Sequence, residues 1–306
     1  MLTGVAGFIG SHVADALINE GHEVIGIDNL SNGLKSNINK EVQFHQIDIR
    51  DPQIEDLFSG IDVVFHQAAL GSVPRSFQNP NETNDVNING FANILKLSEK
   101  YNVKKLIFAS SSSVYGDTNV LPRREESIGK QTSPYASSKR VGELLAEPSF
   151  IPTIGLRYFN VYGPRQRADL DFSAVVPRWI KAVKNRESIS LDGDGTSVRD
   201  YTYISDVVSA NIKALHLPTS GMSRHRGGGL YEIFNVGTGR WTLLNDLLVK
   251  IIHGLNVPKS ELNIVRSVNP PRLPLASFAN LDRSNKFLGY YPIVDLDTGL
   301  ALTINQ

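Results

Sequence analysis

The sequence predicts an α/β fold in which a doubly wound parallel sheet is followed by a smaller C-terminal lobe. In the first half of the chain, short β-branched runs alternate with amphipathic stretches, as expected for parallel strands joined by crossover helices. A glycine-rich turn, residues 4–10, stands before the first amphipathic stretch. After residue 160, proline and glycine become frequent and the apolar runs shorten, which indicates that the regular strand–helix order ends there.

Periodicity and turn signals place the elements in order. Strands are predicted over residues 23–27, 42–46, 63–67, 105–109 and 153–157. Helices are predicted over residues 10–19, 52–57, 86–101, 134–147, 177–184, 205–215 and 243–255. Only Met1 and Leu2 precede Thr3, so the first strand should be short. Pro148 should end the helix before it, because proline cannot continue a helix.

Composition excludes several classes of function. Acidic and basic residues number 31 each, so there is no electrostatic case for a nucleic-acid partner or an anionic membrane surface. The chain has no cysteine, which rules out disulfides and thiolate metal sites, and we expect no bound metal. We find no signal peptide and no long apolar run, so a cytoplasmic location is the default expectation.

The glycine-rich turn indicates a dinucleotide site. Gly4, Gly7 and Gly10 precede an apolar helical pattern, and such glycines let a backbone approach a pyrophosphate at a helix N-terminus. Asp28 ends the next strand, eighteen residues after Gly10. A carboxylate there can accept hydrogen bonds from both ribose hydroxyls and would repel a 2′-phosphate. These features predict a Rossmann fold that prefers NAD over NADP.

A second motif predicts acid/base chemistry. Tyr135 and Lys139 stand four residues apart in a predicted helix and therefore share one face. A phenol with an ordinary pKa near 10 is a poor base at neutral pH unless a cation favours the phenolate, and Lys139 is placed to be that cation. Ser111, twenty-four residues before Tyr135 and just after a predicted strand, would complete the set.

With these residues and several further motifs, the chain resembles the extended short-chain dehydrogenase/reductases, and within them the sugar-nucleotide 4-epimerases. The further motifs are Asp48-Ile49, His66-Gln67-Ala68-Ala69, Asn87-Ile88-Asn89-Gly90, the run from Ser110 to Gly116, and Leu156-Arg157-Tyr158-Phe159-Asn160. The resemblance covers nearly the whole chain. It implies an NAD-binding domain over residues 1–160 and a mainly substrate-binding lobe over 161–306, with residues from about 200–240 returning to the sheet.

The resemblance also implies which residues hold the cofactor. Gly4, Gly7, Phe8, Ile9 and Gly10 would contact the pyrophosphate, Asp28 and Asn29 the ribose, and Asp48 and Ile49 the adenine. Leu70, Asn87, Tyr135, Lys139 and Phe159 would line the nicotinamide half, and Ala68, Ala69 and Ser110 belong to the same cofactor set.

For the substrate, the resemblance implies a UDP-sugar. Asn160, Val175, Arg199 and Arg272 would contact the UDP part, and Ser72, Ser111, Ser112 and Ser277 belong to the rest of the substrate set. The segment 70–76 is similar to the loop of epimerases that act on UDP-N-acetylhexosamines. Ser277 would face the sugar C2 substituent, where a small side chain leaves room for an acetamido group. The register of Arg272 and Ser277 depends on an unusual segment, residues 270–275.

The resulting prediction is NAD-dependent 4-epimerisation of UDP-GlcNAc and UDP-GalNAc through a 4-keto sugar. A UDP-uronate epimerase or decarboxylase stays open as an alternative, as does a dinucleotide-sensing regulator without activity. A regulator of that kind would be expected to lose Tyr135 or Lys139, and this chain keeps both. The resemblance further implies a homodimer formed by helices 86–101 and 134–147, with a seam of four apolar residues: Ile94, Leu97, Leu144 and Leu145.

Overall fold

The computed structural model describes residues 1–224, 229–267 and 274–305. The strands are β1 Leu2–Thr3, β2 Ile25–Asp28, β3 Gln43–Gln46, β4 Val63–His66, β5 Lys105–Ser111, β6 Thr153–Tyr158, β7 Val161–Tyr162, β8 Ile189–Asp192, β9 Val198–Arg199, β10 Thr202–Tyr203, β11 Tyr231–Val236, β12 Thr242–Leu243, β13 Ile264–Ser267 and β14 Ala276–Ser277. The α-helices are α1 Phe8–Asn19, α2 Val73–Gln78, α3 Pro80–Asn84, α4 Phe91–Lys100, α5 Pro134–Ala146, α6 Val175–Asn185, α7 Ile204–His216, α8 Leu244–Gly254 and α9 Leu296–Ile304.

Seven parallel strands form the central sheet in the order β11-β6-β5-β4-β1-β2-β3, which confirms the predicted fold class. As expected, β1 is only two residues long, yet it pairs on both sides: Leu2 stands opposite Gly26 and Phe65. The strand order reverses between β1 and β4, and a crevice at such a point, outside the carboxyl ends of the strands, is where ligands bind in this kind of sheet.

Helices cover both faces of this sheet, because its strands are apolar on both sides. On one face, α1 packs beside α7, and Val13 and Val207 are fully buried in the same cluster as Ile107 of β5. On the other face, α4 and α5 cover a second cluster, in which the rings of Phe91 and Phe108 lie 5.1 Å apart.

Local signals explain where α5 begins and ends. The Ser133 side chain accepts a hydrogen bond from the Ala136 amide, and Pro134 occupies the first helical position, where its missing N–H costs nothing. The helix ends at Ala146, two residues before Pro148, as predicted. Residues 85–90 form a π-helical turn that leads into α4, so the predicted helix 86–101 is regular only in its second part.

The structure contradicts two expectations, one about the apolar residues of the predicted subunit seam and one about the segment 70–76. Ile94 and Leu97, expected on a subunit seam, are buried in the core beneath α4, whereas Leu144 is half exposed on α5. An amphipathic pattern does not say whether the apolar face meets the sheet or another subunit, and here the sheet takes it. The segment 70–76, expected as a loop, contains the start of α2, which Ser72 caps by accepting a hydrogen bond from the Arg75 amide.

Smaller sheets build the C-terminal lobe. Strand β9 lies between β12 and β14, β8 pairs with β13, and β7 pairs with β10. The seventh strand of the central sheet, β11, also comes from this half of the chain. Over the described ranges, none of the helices is long and apolar enough to cross a membrane.

Candidate active site

The turn after β1 brings the start of α1 close to the sheet. Gly4 has a positive φ of 73° and its amide donates to the Ile27 carbonyl at 2.7 Å. A Cβ on Gly10 would lie 2.0 Å from the Gly4 carbonyl oxygen, so any larger residue would push α1 away from the turn. Gly7 directly precedes α1 in an extended conformation, and Phe8 and Ile9 begin the helix. The amides of a helix N-terminus are therefore presented at the switch point of the sheet.

Asp28 is fixed beside this turn. One of its carboxylate oxygens accepts a hydrogen bond from the Ala6 amide at 3.0 Å, and the other accepts one from Leu30 at 2.8 Å. Burial raises the pKa of Asp28, while these two backbone hydrogen bonds oppose the rise. Because each oxygen has a second lone pair, the carboxylate can still accept hydrogen bonds from a pair of hydroxyls.

The residues expected at the adenine form a charged cluster. Asn29 donates to Asp48 at 2.8 Å, and Arg50 donates to both carboxylate oxygens of Asp48, at 2.8 and 2.7 Å. These hydrogen bonds with Arg50 hold the pKa of Asp48 well below its usual range. Ile49 is buried in the core between them. Arg50 was not among the predicted site residues, and its only signal in the sequence is its position two residues after Asp48.

Asn87 is a positioning residue for the end of β4. Its side-chain oxygen accepts from the Leu70 amide at 2.8 Å, and its nitrogen donates to the Leu70 carbonyl and to the Ser138 hydroxyl of α5. The amide is thus engaged with the protein, and it ties the segment after β4 to α5. Ala68, whose amide donates to the Thr3 hydroxyl, and Ala69 lie in the same segment.

Ser111, Tyr135 and Lys139 come together where β5 ends and α5 begins. The ammonium of Lys139 donates to the Ala109 carbonyl at 2.8 Å, two residues before Ser111. Burial lowers the pKa of Lys139 to about 8, and the nearby charge of Glu143 opposes the decrease. The Ser111 hydroxyl accepts a hydrogen bond from the Ser113 amide at 3.1 Å.

The pKa of Tyr135 does not shift in the expected direction. Burial raises the pKa of Tyr135, and its hydrogen bond with Ser111 acts against that rise. The ammonium of Lys139 is held by a backbone carbonyl, and it is itself partly destabilised by burial. The protein chain alone therefore favours the neutral phenol.

Two residues of the predicted cofactor set point elsewhere. The Ser110 hydroxyl donates to Glu143 at 2.6 Å, because neighbouring residues of a strand face opposite sides of the sheet. Any contact of Ser110 with the cofactor would therefore be made by its backbone atoms. Phe159 is completely buried, with its ring 6.0 Å from that of Tyr115, and it packs in a small core cluster with Ala279.

Three of the predicted substrate residues come together where the chain enters the C-terminal lobe and in its small sheet. Arg199 of β9 and Ser277 of β14 stand side by side as register partners. Asn160 donates to the carbonyl of Asp200, and the Asp200 amide donates to the Ser277 carbonyl. Burial lowers the pKa of Arg199, whose guanidinium donates to the carbonyls of Val198 and Leu275. One cationic side chain thus lies beside a small one.

The remaining predicted residues lie at element ends. Ser72 caps α2, Ser112 begins a 3₁₀ turn after β5, and Val175 is the first residue of α6. Arg272 lies outside the described residues.

Comparison with known proteins agrees with this geometry. Residues 1–237 match the model of the NAD dependent epimerase/dehydratase family. The chain belongs to this family. Its cofactor is NAD, in line with the carboxylate of Asp28 beside the glycine turn.

Similar members differ in the sugar named for them. A putative UDP-glucose 4-epimerase of Methanocaldococcus jannaschii is 37% identical over 100% of this chain and 97% of its own length. A UDP-glucuronate 4-epimerase of Thermodesulfobacterium geofontis is 33% identical over 100% of this chain and 94% of its own. The structure of a UDP-N-acetylglucosamine 4-epimerase from Methanobrevibacter ruminantium M1, in complex with UDP-N-acetylmuramic acid, superimposes with a TM-score of 0.89 at 33% identity, covering 99% of this chain and 96% of that one.

Proposed function

We propose that this protein is a UDP-sugar 4-epimerase that interconverts UDP-GlcNAc and UDP-GalNAc. The observation that carries the proposal is the meeting of Ser111, Tyr135 and Lys139 at the sheet edge that also holds the glycine turn and Asp28. An acid/base group beside a dinucleotide site is what oxidation of an alcohol to a ketone requires.

The chain's own residues fit NAD. The close approach of Gly10 to Gly4 leaves the N-terminus of α1 accessible to a pyrophosphate, and Asp28 stands ready for ribose hydroxyls. What NAD supplies when bound is reversible hydride transfer.

Tyr135 handles the proton in this proposal. It takes the proton of the sugar 4-hydroxyl as the 4-keto sugar forms, and it returns that proton to the same oxygen after the keto sugar has turned over. Ser111, already in contact with the phenol, bridges it to the substrate oxygen. In this proposal Lys139, one helical turn after Tyr135, is the cation that favours the phenolate during proton transfer, because in the chain alone the phenol stays neutral. Oxidation and reduction cancel, so there is no net redox change.

The small side chain of Ser277 supports the N-acetyl sugars, in line with the sequence resemblance of segment 70–76 to epimerases that act on UDP-N-acetylhexosamines. Ser277 is half-buried and has Arg199 as its neighbour in β9, so a small side chain stands beside a cation able to bind phosphate. A pocket that admits an acetamido group by its size can discriminate against a smaller substituent only modestly, so UDP-Glc and UDP-Gal should be turned over less well rather than rejected.

The test is incubation of the purified protein with UDP-GlcNAc, UDP-Glc and UDP-glucuronate in separate reactions, followed by chromatographic separation of the products. Formation of UDP-GalNAc at the highest rate supports the proposal. Preferential conversion of UDP-glucuronate, or loss of CO₂ from it, would instead favour the second candidate, a uronate epimerase or decarboxylase. The relative named as a UDP-glucuronate 4-epimerase favours the epimerase of these two. No product from any of the three would favour a regulator.

A further inference from the structure

Arg123 is a buried cation that has no carboxylate partner among the described residues. Its residue surface is 2% exposed. Among the described residues, its guanidinium meets only carbonyl oxygens: those of Thr118 and Val120 in its own loop, and that of Ala276 in β14 at 3.1 Å. Its Nε atom is buried and has no hydrogen-bond partner in the described part of the chain. Burying a charge that is not paired with an opposite charge destabilises the folded state, so buried charges are normally paired.

The backbone of Arg123 continues the same connection. Its amide donates to the Phe278 carbonyl at 2.8 Å, and its carbonyl accepts from the Asn280 amide at 2.9 Å. Side chain and backbone together thus hold residues 276, 278 and 280. We call residues 275–280 the β14 segment.

The other edge of the β14 segment is held by β9 and the residue after it. Val198 donates to the Leu275 carbonyl at 2.7 Å, and Asp200 donates to the Ser277 carbonyl at 3.1 Å. The Asp200 carboxylate also accepts from the Ala279 amide at 3.1 Å. Ser277 therefore lies on a short strand that is hydrogen-bonded to Arg123 on one side and to residues 198–200 on the other.

The chemistry of arginine suits this task. Its planar guanidinium carries five donors in a fixed arrangement and can hold carbonyl groups from two segments at once, which a single ammonium group cannot do in the same geometry. Arg123 donates to the Ala276 carbonyl and Arg199 to the Leu275 carbonyl, so both cations lie at the β14 segment. Burial lowers the pKa of Arg123, and the positive charge of Arg199 acts in the same direction.

We propose that Arg123 is a positioning residue for substrate specificity, which holds the β14 segment so that Ser277 stands beside Arg199 in the sugar-nucleotide site. This inference rests on the proposed function. It assigns to the loop after β5 a part in choosing the sugar, although no atom of Arg123 need touch it.

The test compares Arg123→Met and Arg123→Lys with the same two changes at Arg124. Arg124 is the next residue, is about half exposed, and lies 3.8 Å from Asp282 in a surface ion pair. For each variant, we would measure kcat and KM with UDP-GlcNAc and with UDP-Glc, the dissociation constant of NAD, and the melting temperature.

Arg123→Met should raise KM for UDP-GlcNAc by about 10- to 100-fold, the range expected when hydrogen bonds of a charged group are lost. The preference for UDP-GlcNAc over UDP-Glc should fall, while kcat and NAD affinity stay near those of the parent. Arg123→Lys, which keeps the charge, should recover part of the loss. Both Arg124 variants should behave as the parent.

A uniform loss of melting temperature, NAD affinity and kcat in Arg123→Lys, the milder variant, would mean that Arg123 only stabilises the fold and would overturn the inference. Unchanged KM values and sugar preference in both Arg123 variants would overturn it as well.

Hydrogen exchange separates this inference from the proposed function, because it needs no substrate. Exchange of the Asn280 and Asp200 amides should speed up in Arg123→Met but not in Arg124→Met. If the parent epimerises none of the sugars, the proposed function fails. The exchange result still tests whether Arg123 holds the β14 segment. Unchanged exchange at both amides would show that Arg123 does not hold the β14 segment, even if the protein is an active epimerase.

Discussion

Arg157 donates to both carboxylate oxygens of Glu143, at 2.8 and 2.9 Å, and both residues are almost wholly buried. Ser110 also donates to Glu143, and Arg157 donates in addition to the Tyr115 hydroxyl. These contacts join α5, one helical turn after Lys139, to β5 and β6. A helix anchored in this way holds Tyr135 and Lys139, the proposed acid/base residues, at a fixed place on the sheet.

Glu143→Gln should therefore lower the free energy of unfolding by about 3–5 kcal/mol, because it removes the charge of the carboxylate that pairs with the buried Arg157. The matched control is Glu261→Gln, which removes the partner of Arg186 in an exposed ion pair and should cost at most about 1 kcal/mol. Urea unfolding of both variants measures the difference. Equal losses would show that the buried pair has no special weight.

The lowered pKa of Lys139 predicts a pH-dependent stability. Its pKa falls from 10.5 to about 8 on folding, so between these values the unfolded chain holds a proton that the folded chain has released. The free energy of unfolding therefore rises by about 3 kcal/mol in all as the pH increases from about 8 to 10.5. Below pH 8, burial of the charged Lys139 destabilises the fold by this full amount. Relative to Lys139→Met, the parent should gain stability from pH 7 to pH 10 in urea unfolding. Lys104→Met, at an exposed lysine, should run parallel to the parent.

The sequence predicted the parts of this structure that depend on local signals. Glycine spacing, the strand-end position of Asp28 and the helical spacing of Tyr135 and Lys139 are properties of short segments, and the structure brings these residues to one edge of the sheet. Helix capping by Ser133 and termination near Pro148 are local in the same sense.

Residues whose environment comes from distant segments could not be assigned in this way. Arg123 looks like a surface arginine until Ala276, more than 150 positions later, packs against it. Ile94 and Leu97 carry the same apolar pattern whether they face a sheet or a second subunit. Ser110 and Ser111 are alike in sequence, and only the pleat of β5 decides which of them faces Tyr135.

Tyr135→Phe should reduce turnover by about 10²- to 10⁴-fold, since it removes the hydroxyl that we propose transfers the proton, together with its hydrogen bond to Ser111. NAD affinity and the melting temperature should stay near those of the parent, because the ring remains in place. Tyr291→Phe, at an exposed tyrosine, is the control and should have full activity. A Tyr135→Phe variant with half the parent's rate would remove this residue from the mechanism.

Asp28 should make NADP bind more weakly than NAD, by about tenfold or more for each charged hydrogen bond to the ribose that is lost. Repulsion between the carboxylate and a 2′-phosphate acts in the same direction. Calorimetric titration of the parent and of Asp28→Asn with both dinucleotides measures the two affinities. The difference between the affinities for NAD and NADP should be smaller in the variant. Asp56→Asn, at an exposed position, controls for net charge. Comparable affinities of the parent for the two dinucleotides would contradict the role given to Asp28.

Ser277→Tyr should remove activity on UDP-GlcNAc and UDP-GalNAc while sparing UDP-Glc and UDP-Gal. Ser277 is the register partner of Arg199, so a ring there would occupy the place that our proposal assigns to the acetamido group. Initial rates with all four sugars, measured beside Ser260→Tyr at an exposed serine, test this. Equal loss on both pairs would mean that the ring blocks the nucleotide rather than the C2 substituent. In that case Ser277 is not the gate, and the choice of sugar must be made elsewhere in the site.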